Sequence, residues 1–330
     1  MLALKAIPLP VVAGLLGALL GLLYKGIDRK LAARMQSRVG PPIRQPLLDL
    51  KKLLLKENVV PRDSIPWLFN LAPLVGLVAT ATVLLYLPLG DLAPVLGEGG
   101  DLILILYLLA LPALALVIGG FASGAPYAIV GAQREMVLMI SYELPLAVTI
   151  VTFAWKLNRL YPGERVFSLG FILNHPLWGS FGPLGLIGFL ILLGVMLIVT
   201  PIELSKIPFD LAEAETEIAE GLLSEYSGRN LALFKLTDAL KALAMASLVV
   251  GLFFPYQVGY ILGLSGFLGG LINVAFFLLK VFAVLLVSVT VVRVAAARFK
   301  IDQVAFGFWF PLTAISLGGL GLIYLDGLLF

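Results

Sequence analysis

Residues 183–203 read PLGLIGFLILLGVMLIVTPIE, a run in which the only charge is the final Glu203. An apolar stretch of about 20 residues can cross the hydrocarbon core of a bilayer as an α-helix. Such runs recur along the 330 residues, of which 60% are hydrophobic and 13% charged, whereas a soluble domain carries about 25% charged residues. The runs do not alternate polar and apolar positions, which excludes a membrane β-barrel. The sequence therefore predicts an all-α polytopic membrane protein.

Eight spans of this kind are predicted, and they form one membrane domain covering residues 1–330. The spans lie at about 7–24, 67–88, 101–123, 136–155, 183–203, 231–254, 270–293 and 304–325. No small-residue cleavage site follows the first span, so we interpret it as a retained helix. Residues 257–268 are apolar and glycine-rich but too short to span. Their pattern leaves both a re-entrant turn and an interfacial helix open.

Basic residues are concentrated in the loops that follow odd-numbered spans. Sixteen lie there: Lys25, Arg29, Lys30, Arg34, Arg38, Arg44, Lys51, Lys52, Lys56, Arg62, Arg134, Lys206, Arg229, Arg293, Arg298 and Lys300. The even-numbered loops carry Lys156, Arg159 and Arg165, and Lys5 precedes the first span. Positive charge marks the cytoplasmic side of membrane proteins. We therefore expect the odd loops to lie inside and both termini outside.

The first loop contains QPLLDLKKLLLKEN (residues 45–58), in which leucines alternate with Asp49 and lysines at roughly helical spacing. This pattern predicts an amphipathic helix at about 46–57. Such a helix lies in the membrane interface with its lysines toward headgroups or a partner. An ordinary surface helix is an equally good interpretation of this stretch alone.

Several ionisable residues interrupt the apolar spans. Span four contains Glu143, span six contains Lys235, Asp238 and Lys241, and span seven contains Lys280. A central charge costs about 2.5–3.5 kcal/mol on membrane-insertion scales, so these side chains should face protein or water. The three charges of span six follow one another at i,i+3 steps, which places them on one side of the helix. The alternative is a self-neutralised structural pair with snorkelling lysines.

An acidic segment follows the fifth span directly. Residues 208–229 read PFDLAEAETEIAEGLLSEYSGR and carry Asp210, Glu213, Glu215, Glu217, Glu220 and Glu225. Steps of three, four and three predict that Asp210, Glu213, Glu217 and Glu220 share one helical face. Carboxylates clustered away from water cannot all stay ionised, and chains of such groups relay protons in membranes. A solvated acidic loop is the alternative.

The chain has no cysteine and only one histidine, His175. This composition excludes disulfides, cysteine-ligated zinc or iron–sulfur clusters, and a haem with two histidine ligands. We therefore expect no metal or cofactor bound by this chain, and no nucleic-acid partner. If the protein takes part in electron transfer, its redox centres belong to other chains.

Four segments resemble the loop motifs of a known family. They are SRVGPPIRQPLLDLKKLLLKENVVP (37–61), GAQREMVLMISYE (131–143), ELSKIPFDLAEAETEIAEGLLSEYSG (203–228) and RVAAARFKIDQVAFGFWFPL (293–312). They are similar to the four loop motifs of the NuoH family and follow one another in the same order. NuoH is the membrane subunit at the heel of respiratory complex I and is also called NADH dehydrogenase subunit 1. The family has counterparts in membrane-bound energy-converting hydrogenases, formate hydrogenlyases and archaeal sulfane reductases.

The resemblance implies a subunit of the cytoplasmic (cell) membrane that joins a redox arm to antiporter-like membrane subunits. It would carry no redox centre and would couple hydrogen evolution or sulfane sulfur reduction to proton or sodium pumping through buried carboxylates. The implied partners are a hydrogenase-like large subunit, a cluster-bearing small subunit, the antiporter-like subunits and lipid. Iron–sulfur clusters, and a nickel–iron site in the hydrogenase case, would lie in those partners.

Two sets of candidate residues follow from the charges and the resemblance. The charge pathway comprises Glu143, Glu203, Lys206, Asp210, Glu213, Glu215, Glu217, Glu220, Glu225, Lys235, Asp238, Lys241 and Lys280. The residues expected to dock the peripheral arm are Arg34, Arg38, Arg44, Arg134, Arg293, Arg298, Asp302 and Gln303.

The sequence departs from the complex I pattern at Lys206, where the family has arginine, and at Ala297 and Phe299, where it has prolines. An ammonium cannot reproduce the bidentate fork of a guanidinium. These positions lie near the family's quinone cavity, so the departures put quinone binding in doubt. The compact N-terminus and the run LLSEYSGRNLALFKLTDALKALAMAS (222–247) resemble the archaeal hydrogenase and sulfane reductase branch more than the quinone- or methanophenazine-reducing branch.

Two further functions remain as alternatives. A stand-alone secondary transporter would bind substrate at Glu143, Asp238 and Lys280, but the chain shows no internal repeat of the kind on which many transporters are built. A purely architectural anchor for the redox arm would explain the basic loops and leave the charges within the spans unexplained.

Overall fold

The structure is a computed structural model that describes residues 8–90, 94–96, 101–261, 263 and 266–329. Its long helices are α1 (Pro8–Met35), α2 (Gln45–Leu55), α3 (Pro66–Tyr86), α4 (Leu102–Ala122), α5 (Pro126–Leu160), α6 (Pro183–Glu203), α7 (Gly228–Phe253), α8 (Phe267–Ala295) and α9 (Ile301–Leu329). All of these except α2 are long and apolar enough to cross a membrane, which gives eight spans within the described residues. The predicted all-α polytopic fold is confirmed.

Shorter elements connect the spans. They are the α-helices Leu169–Asn174, Glu215–Ile218 and Val258–Ile261 and the 3₁₀ turns Leu177–Gly179 and Gly221–Leu223. The stretch 257–268 thus contains one helical turn, while residues 262, 264 and 265 of it lie outside the described residues, as do Lys5 and the start of the first predicted span.

Several helices extend well beyond the predicted spans. Helix α1 continues from the predicted end at residue 24 to Met35, and α5 begins at Pro126 instead of residue 136 and ends at Leu160 instead of 155. The hydropathy pattern ends at the first charged residues, whereas backbone hydrogen bonding continues past them into the polar region. Arg134 and the first basic residues assigned to loop one therefore lie on helices.

Helix α7 is the central element of the bundle. In an apolar stretch of 18 residues of α7, 89% of the residues are buried. The corresponding share in the other seven spans is at most 56%. It packs against α3, α1, α2 and α8, with further contacts to α4 and α6. Because other helices surround it, Lys241 of α7 is buried and Asp238 is half-buried among protein atoms, whereas Lys235 near the start of the helix is exposed.

Small residues allow the spans to approach one another closely. An added Cβ on Gly188 of α6 would lie 2.6 Å from the carbonyl oxygen of Gly319 in α9, and one on Gly21 of α1 would lie 2.4 Å from the carbonyl oxygen of Ala239 in α7. Membrane helices commonly associate through such small-residue contacts, because lipid offers little hydrophobic driving force.

Replacing Gly188 by alanine should therefore destabilise the α6–α9 contact by about 1–3 kcal/mol, the usual cost of overpacking. Gly194 on the same helix is the matched control, because its Cβ would meet nothing within 4 Å. Gly194→Ala should leave the thermal unfolding temperature in detergent unchanged or raise it slightly. Equal unfolding temperatures for the two variants would contradict the close α6–α9 packing.

Candidate functional site

A polar cavity lies where α4, α5, α6 and α7 meet the segment 204–227. Its charged lining consists of Glu135, Glu203, Lys206, Glu213, Lys235, Asp238 and Lys241. The centres of water molecules can occupy a volume of about 40 Å³ in this cavity. One buried water needs about 10–15 Å³ by this measure, so the cavity has room for more than one water among these charges.

Glu203 and Lys241 form a buried ion pair at this cavity. Glu203 is 1% exposed and Lys241 is 6% exposed. The ammonium of Lys241 lies 2.8 Å from Oε1 of Glu203 and donates a hydrogen bond of 2.7 Å to the backbone oxygen of the same residue. Neither carboxylate oxygen of Glu203 accepts a well-aligned hydrogen bond from the described residues. A buried carboxylate in this state has acceptor capacity left for water.

Glu135 is the second buried acid of the cavity, at 1% exposure. The Ser205 hydroxyl donates to it, at 3.3 Å from Oε1 and 3.2 Å from Oε2. Ser205 has a positive φ of 47° at the end of α6, a conformation that is costly for a residue other than glycine and that clusters at functional sites. Sequence analysis missed Glu135, because it stands beside Arg134 just before the predicted span and looked like part of a surface.

Asp238 is held by two lysines from different parts of the chain. Its Oδ2 lies 2.6 Å from Nζ of Lys25 in α1 and 2.7 Å from Nζ of Lys206. Burial alone would lower the pKa of Lys206, but the charges of Asp238 and Glu213 outweigh it, so the pKa of Lys206 is raised. This triad carries a net positive charge next to the acids of the cavity.

Each of the three charged residues on one side of α7 pairs with a residue of another element. Lys241 pairs with Glu203, Asp238 with two lysines, and Lys235 lies 3.6 Å from Oε2 of Glu213. The interpretation of these charges as a self-neutralised pair within one helix is therefore wrong. The α7 charges connect three neighbouring regions: α1, the end of α6, and the segment that follows it.

The acidic segment does not form the predicted helical face. Only Glu215–Ile218 is α-helical, and Asp210 and Glu213 precede this helix in irregular backbone. Ala219 and Glu220 have positive φ values of 49° and 67°, which L-residues cannot continue as a right-handed helix. The prediction that Asp210, Glu213, Glu217 and Glu220 share a face is wrong.

Most acids of this segment lie at the surface. Glu215, Glu217, Glu220 and Glu225 are exposed, and Asp210 is half-buried and bound to Arg298. Of the six, only Glu213 lines the cavity. For the four exposed residues, the structure agrees with the alternative of a solvated acidic loop.

Polar contacts fasten the segment to the helices. Arg298 donates from Nε and Nη2 to the two carboxylate oxygens of Asp210, and this hydrogen bonding raises the pKa of the Arg298 guanidinium. Arg134 lies 2.6 Å from Oε2 of Glu217. The Tyr226 hydroxyl donates to the backbone oxygen of Phe69 at 3.2 Å, and burial raises the pKa of that hydroxyl.

The residues predicted to dock a peripheral arm therefore divide into two groups. Arg134 and Arg298 hold the acidic segment, and Arg293 of α8 lies 3.0 Å from Oδ2 of the buried Asp28 in α1. The remaining members, Arg34, Arg38, Arg44, Asp302 and Gln303, are exposed. Asp28 also accepts a hydrogen bond of 2.7 Å from Thr290, which lies in a π-helical turn, Leu286–Val291, within α8.

Glu143 and Lys280 lie apart from the cavity. Glu143 is half-buried on α5, two turns beyond Glu135, and forms no ion pair with the described residues. Lys280 donates hydrogen bonds of 2.7 Å to the backbone oxygens of Phe254 and Tyr256 at the end of α7. Helical rise places this point about 20 Å along α7 from Lys241. The structure does not bring Lys280 into the cavity.

A second buried ion pair, also missed by sequence analysis, lies at the opposite end of the bundle. Asp326 of α9 is 1% exposed, accepts a hydrogen bond from the Gly182 N–H at 2.9 Å, and lies 3.9 Å from Nζ of Lys156 in α5. Both residues stand near predicted span ends, where charge is usual, so the sequence held no signal of their burial. Within the described part of the chain, no group of three His, Asp or Glu residues could hold a metal ion.

Comparison with known proteins places these features in context. A family model described as NADH dehydrogenase matches residues 9–324. Hydrogenase-4 component C of Escherichia coli is 36% identical over 294 residues, which cover 89% of each chain. The H subunit of NADH-quinone oxidoreductase from Dehalococcoides mccartyi is 31% identical over 309 residues, covering 91% of this chain and 80% of the relative.

A solved structure is similar over nearly the whole fold. It is a chain of the membrane-bound sulfane sulfur reductase, described as an archaeal respiratory membrane complex. The two chains share 30% sequence identity and superpose with a TM-score of 0.79, covering 97% of this chain and 98% of the other.

The Glu203–Lys241 pair generates a stability prediction. Lys241→Met should leave Glu203 as an uncompensated buried charge and cost about 3–5 kcal/mol. Adding Glu203→Gln to the same chain should restore most of that loss, because the lone buried charge is then removed. The measurement is thermal unfolding of the full chain in detergent, with the exposed Lys52→Met as control. A double variant no more stable than Lys241→Met alone would contradict the pairing.

The Arg298–Asp210 contact generates a second prediction. Arg298→Lys keeps the charge but loses the two-pronged hydrogen bond, so the segment 208–228 should exchange its amide hydrogens about tenfold faster, the effect of a loss of about 1.4 kcal/mol. Hydrogen–deuterium exchange with mass spectrometry measures this directly. Arg62→Lys, at an exposed position outside these contacts, should leave the exchange of this segment at the wild-type rate.

Proposed function

The chain belongs to the NADH dehydrogenase family of membrane subunits, to which NuoH belongs, and on this premise we propose that it is the coupling subunit of an ion-translocating oxidoreductase complex. In this role it holds a cytoplasmic redox arm on the membrane. It converts electron transfer in that arm into proton or sodium movement by antiporter-like neighbours. Its relatives are named as parts of a hydrogenase, a quinone oxidoreductase and a sulfane sulfur reductase.

The small polar cavity with its buried acids is the observation that carries this proposal. Glu203 has unfilled acceptor capacity, and among the described residues Glu135 accepts a hydrogen bond only from the Ser205 hydroxyl. Both acids line the same cavity as Glu213. A proton can pass between carboxylates through bridging water, as in other membrane relays. Nothing in an architectural anchor requires acids to be buried in this way.

The neighbouring lysines influence whether the acids of this relay are ionised. The net positive triad at Asp238 and the ammonium of Lys241 favour the ionised form of the neighbouring acids, while burial favours the neutral form. With the two influences opposed, a change of charge in the redox arm can shift a proton onto or off the relay. The half-buried Glu143 on α5 is the next acid in the direction away from the cavity.

The exposed members of the predicted docking residues would bind the redox arm. We assign this docking to Arg34, Arg38 and Arg44, which lie between the last turn of α1 and the start of α2, together with Asp302 and Gln303 at the start of α9. The partners would be the hydrogenase-like large subunit and the cluster-bearing small subunit, which would hold the iron–sulfur clusters and, in a hydrogenase, the nickel–iron site. This chain contributes position and proton movement, and the partners contribute redox chemistry.

A quinone-reducing complex is the second candidate, favoured by the similarity to a subunit of NADH-quinone oxidoreductase. Lys206, Ala297 and Phe299 weigh against it, because they replace the arginine and the prolines of the complex I pattern. A stand-alone transporter is disfavoured by the size of the cavity, about 40 Å³, because small-molecule sites usually measure about 300–1,000 Å³.

Glu135→Gln in the assembled complex tests the proposal. Redox turnover with artificial electron donors should persist, whereas ion transport per electron in sealed vesicles should fall about tenfold, because a glutamine cannot take up or release the proton. Glu57→Gln removes an exposed carboxylate that does not line the cavity and should transport ions like the wild type. Undiminished transport in Glu135→Gln, followed with a pH-sensitive dye and a sodium electrode, would rule out the relay.

A further inference from the structure

Two aromatic side chains meet near the ends of α5 and α9, at the end of the bundle opposite to the polar cavity. The ring centroids of Trp155 in α5 and Tyr324 in α9 lie 5.3 Å apart, and Tyr324 is exposed. Tryptophan and tyrosine are enriched where the hydrocarbon core of a membrane meets its headgroups. The spans predicted at 136–155 and 304–325 end at or beside these residues. The membrane boundary therefore lies at the same level on both helices.

Arg159 lies one turn beyond Trp155 on α5. Helical rise places it about 6 Å further along the axis, which is the depth of the headgroups. Its Cζ lies 5.9 Å from the centre of the Trp155 ring, a cation–π contact. On its other side is Gly327 of α9, where an added Cβ would lie 2.6 Å from Nη1 of Arg159. Because glycine has no side chain, the guanidinium can lie directly against α9.

Arg159 forms no ion pair with the described residues. The neighbouring carboxylate of Asp326 is already engaged, because it accepts the hydrogen bond from the Gly182 N–H and lies 3.9 Å from Nζ of Lys156. Two positive charges, on Lys156 and Arg159, thus accompany one negative charge. The surplus charge belongs to an exposed guanidinium, whose fork of donors suits phosphate.

Exposed apolar side chains continue from this guanidinium toward the middle of the membrane. Val151 lies one turn before Trp155 on α5, and Leu317 lies two turns before Tyr324 on α9, and both are exposed. Helical spacing places each of them on the same side of its helix as the aromatic residue that follows it. The surface therefore presents apolar side chains at the depth of acyl chains and a cation at the depth of headgroups.

We propose that Arg159 binds the phosphate group of an anionic phospholipid whose acyl chains lie along α5 and α9. Trp155 and Gly327 hold the guanidinium in position. A phospholipid fits this surface better than a soluble anion does, because a soluble anion would leave the adjacent apolar side chains uncovered. The site goes beyond the proposed coupling role, since none of its residues lines the polar cavity.

The test uses the full-length chain, purified in its complex and stripped of lipid by detergent. Short-chain phosphatidylglycerol and phosphatidylcholine are titrated separately, and bound lipid is counted by native mass spectrometry. Arg159→Gln should lose one phosphatidylglycerol that the wild type holds. About fivefold more lipid should restore it, the effect of one basic residue near a headgroup. Gly327→Ala should also bind this lipid more weakly, because it keeps the charge but displaces the guanidinium from α9.

The matched control is Arg165→Gln, which removes an exposed basic residue from the loop at the same end of the bundle. It should bind phosphatidylglycerol like the wild type, and thermal unfolding should show that the variants are equally folded. An equal loss in Arg165→Gln, equal binding of both lipids by the wild type, or displacement of the lipid by equimolar inorganic phosphate would overturn the proposal.

A cross-linking experiment identifies what covers the surface in the membrane. The chain has no cysteine, so a photo-activated cross-linker attached to Val151→Cys marks a single position of it. Cross-linking to phospholipid in the assembled complex would support the proposal. Cross-linking to a neighbouring subunit would show that a protein occupies this surface, and the proposal would be wrong.

Discussion

The ion pairs of α7 are the constraint on which the rest of the structure depends. A helix with Lys235, Asp238 and Lys241 cannot lie in lipid without a large cost, so the other spans must enclose it, and α7 is the most buried span of the bundle. Enclosure in turn requires each charge to meet an opposite charge. Those partners come from α1, from the end of α6 and from the following segment. The same contacts therefore assemble the bundle and create a polar cavity within it.

The sequence was sufficient to predict the all-α fold and its eight spans, because burial in lipid imposes a length and a composition that hydropathy detects. Helix ends were predicted less well. α1 and α5 continue as helices through charged turns beyond the membrane, where composition no longer distinguishes helix from loop. Sidedness rests on the distribution of basic residues alone, and it remains a prediction.

The candidate site was predictable only where charge interrupted an apolar run. Glu203, Asp238 and Lys241 stood out for that reason, and the structure brings them together with Lys206 and Glu213. Glu135, Asp28 and Asp326 gave no such signal, since each lies near a span end and is buried by elements distant in sequence. For the acidic segment, the prediction from the sequence was wrong for the opposite reason. Its i,i+3 and i,i+4 spacing indicated a helix, but Ala219 and Glu220 turn the backbone into the left-handed region, and most of its acids face outward.

The lysine at position 206 can be understood from the triad that it joins. A guanidinium would engage both oxygens of Asp238 in a planar fork. Here two ammonium groups, from Lys25 and Lys206, contact the single oxygen Oδ2. Two compact ammonium groups on flexible side chains can share one oxygen more readily than two planar guanidinium groups can. The pair of lysines supplies two positive charges to one carboxylate, so the site keeps a surplus cation beside Glu135 and Glu203. Lys206 therefore keeps a positive charge beside these acids through a single-point contact that it shares with Lys25 of α1.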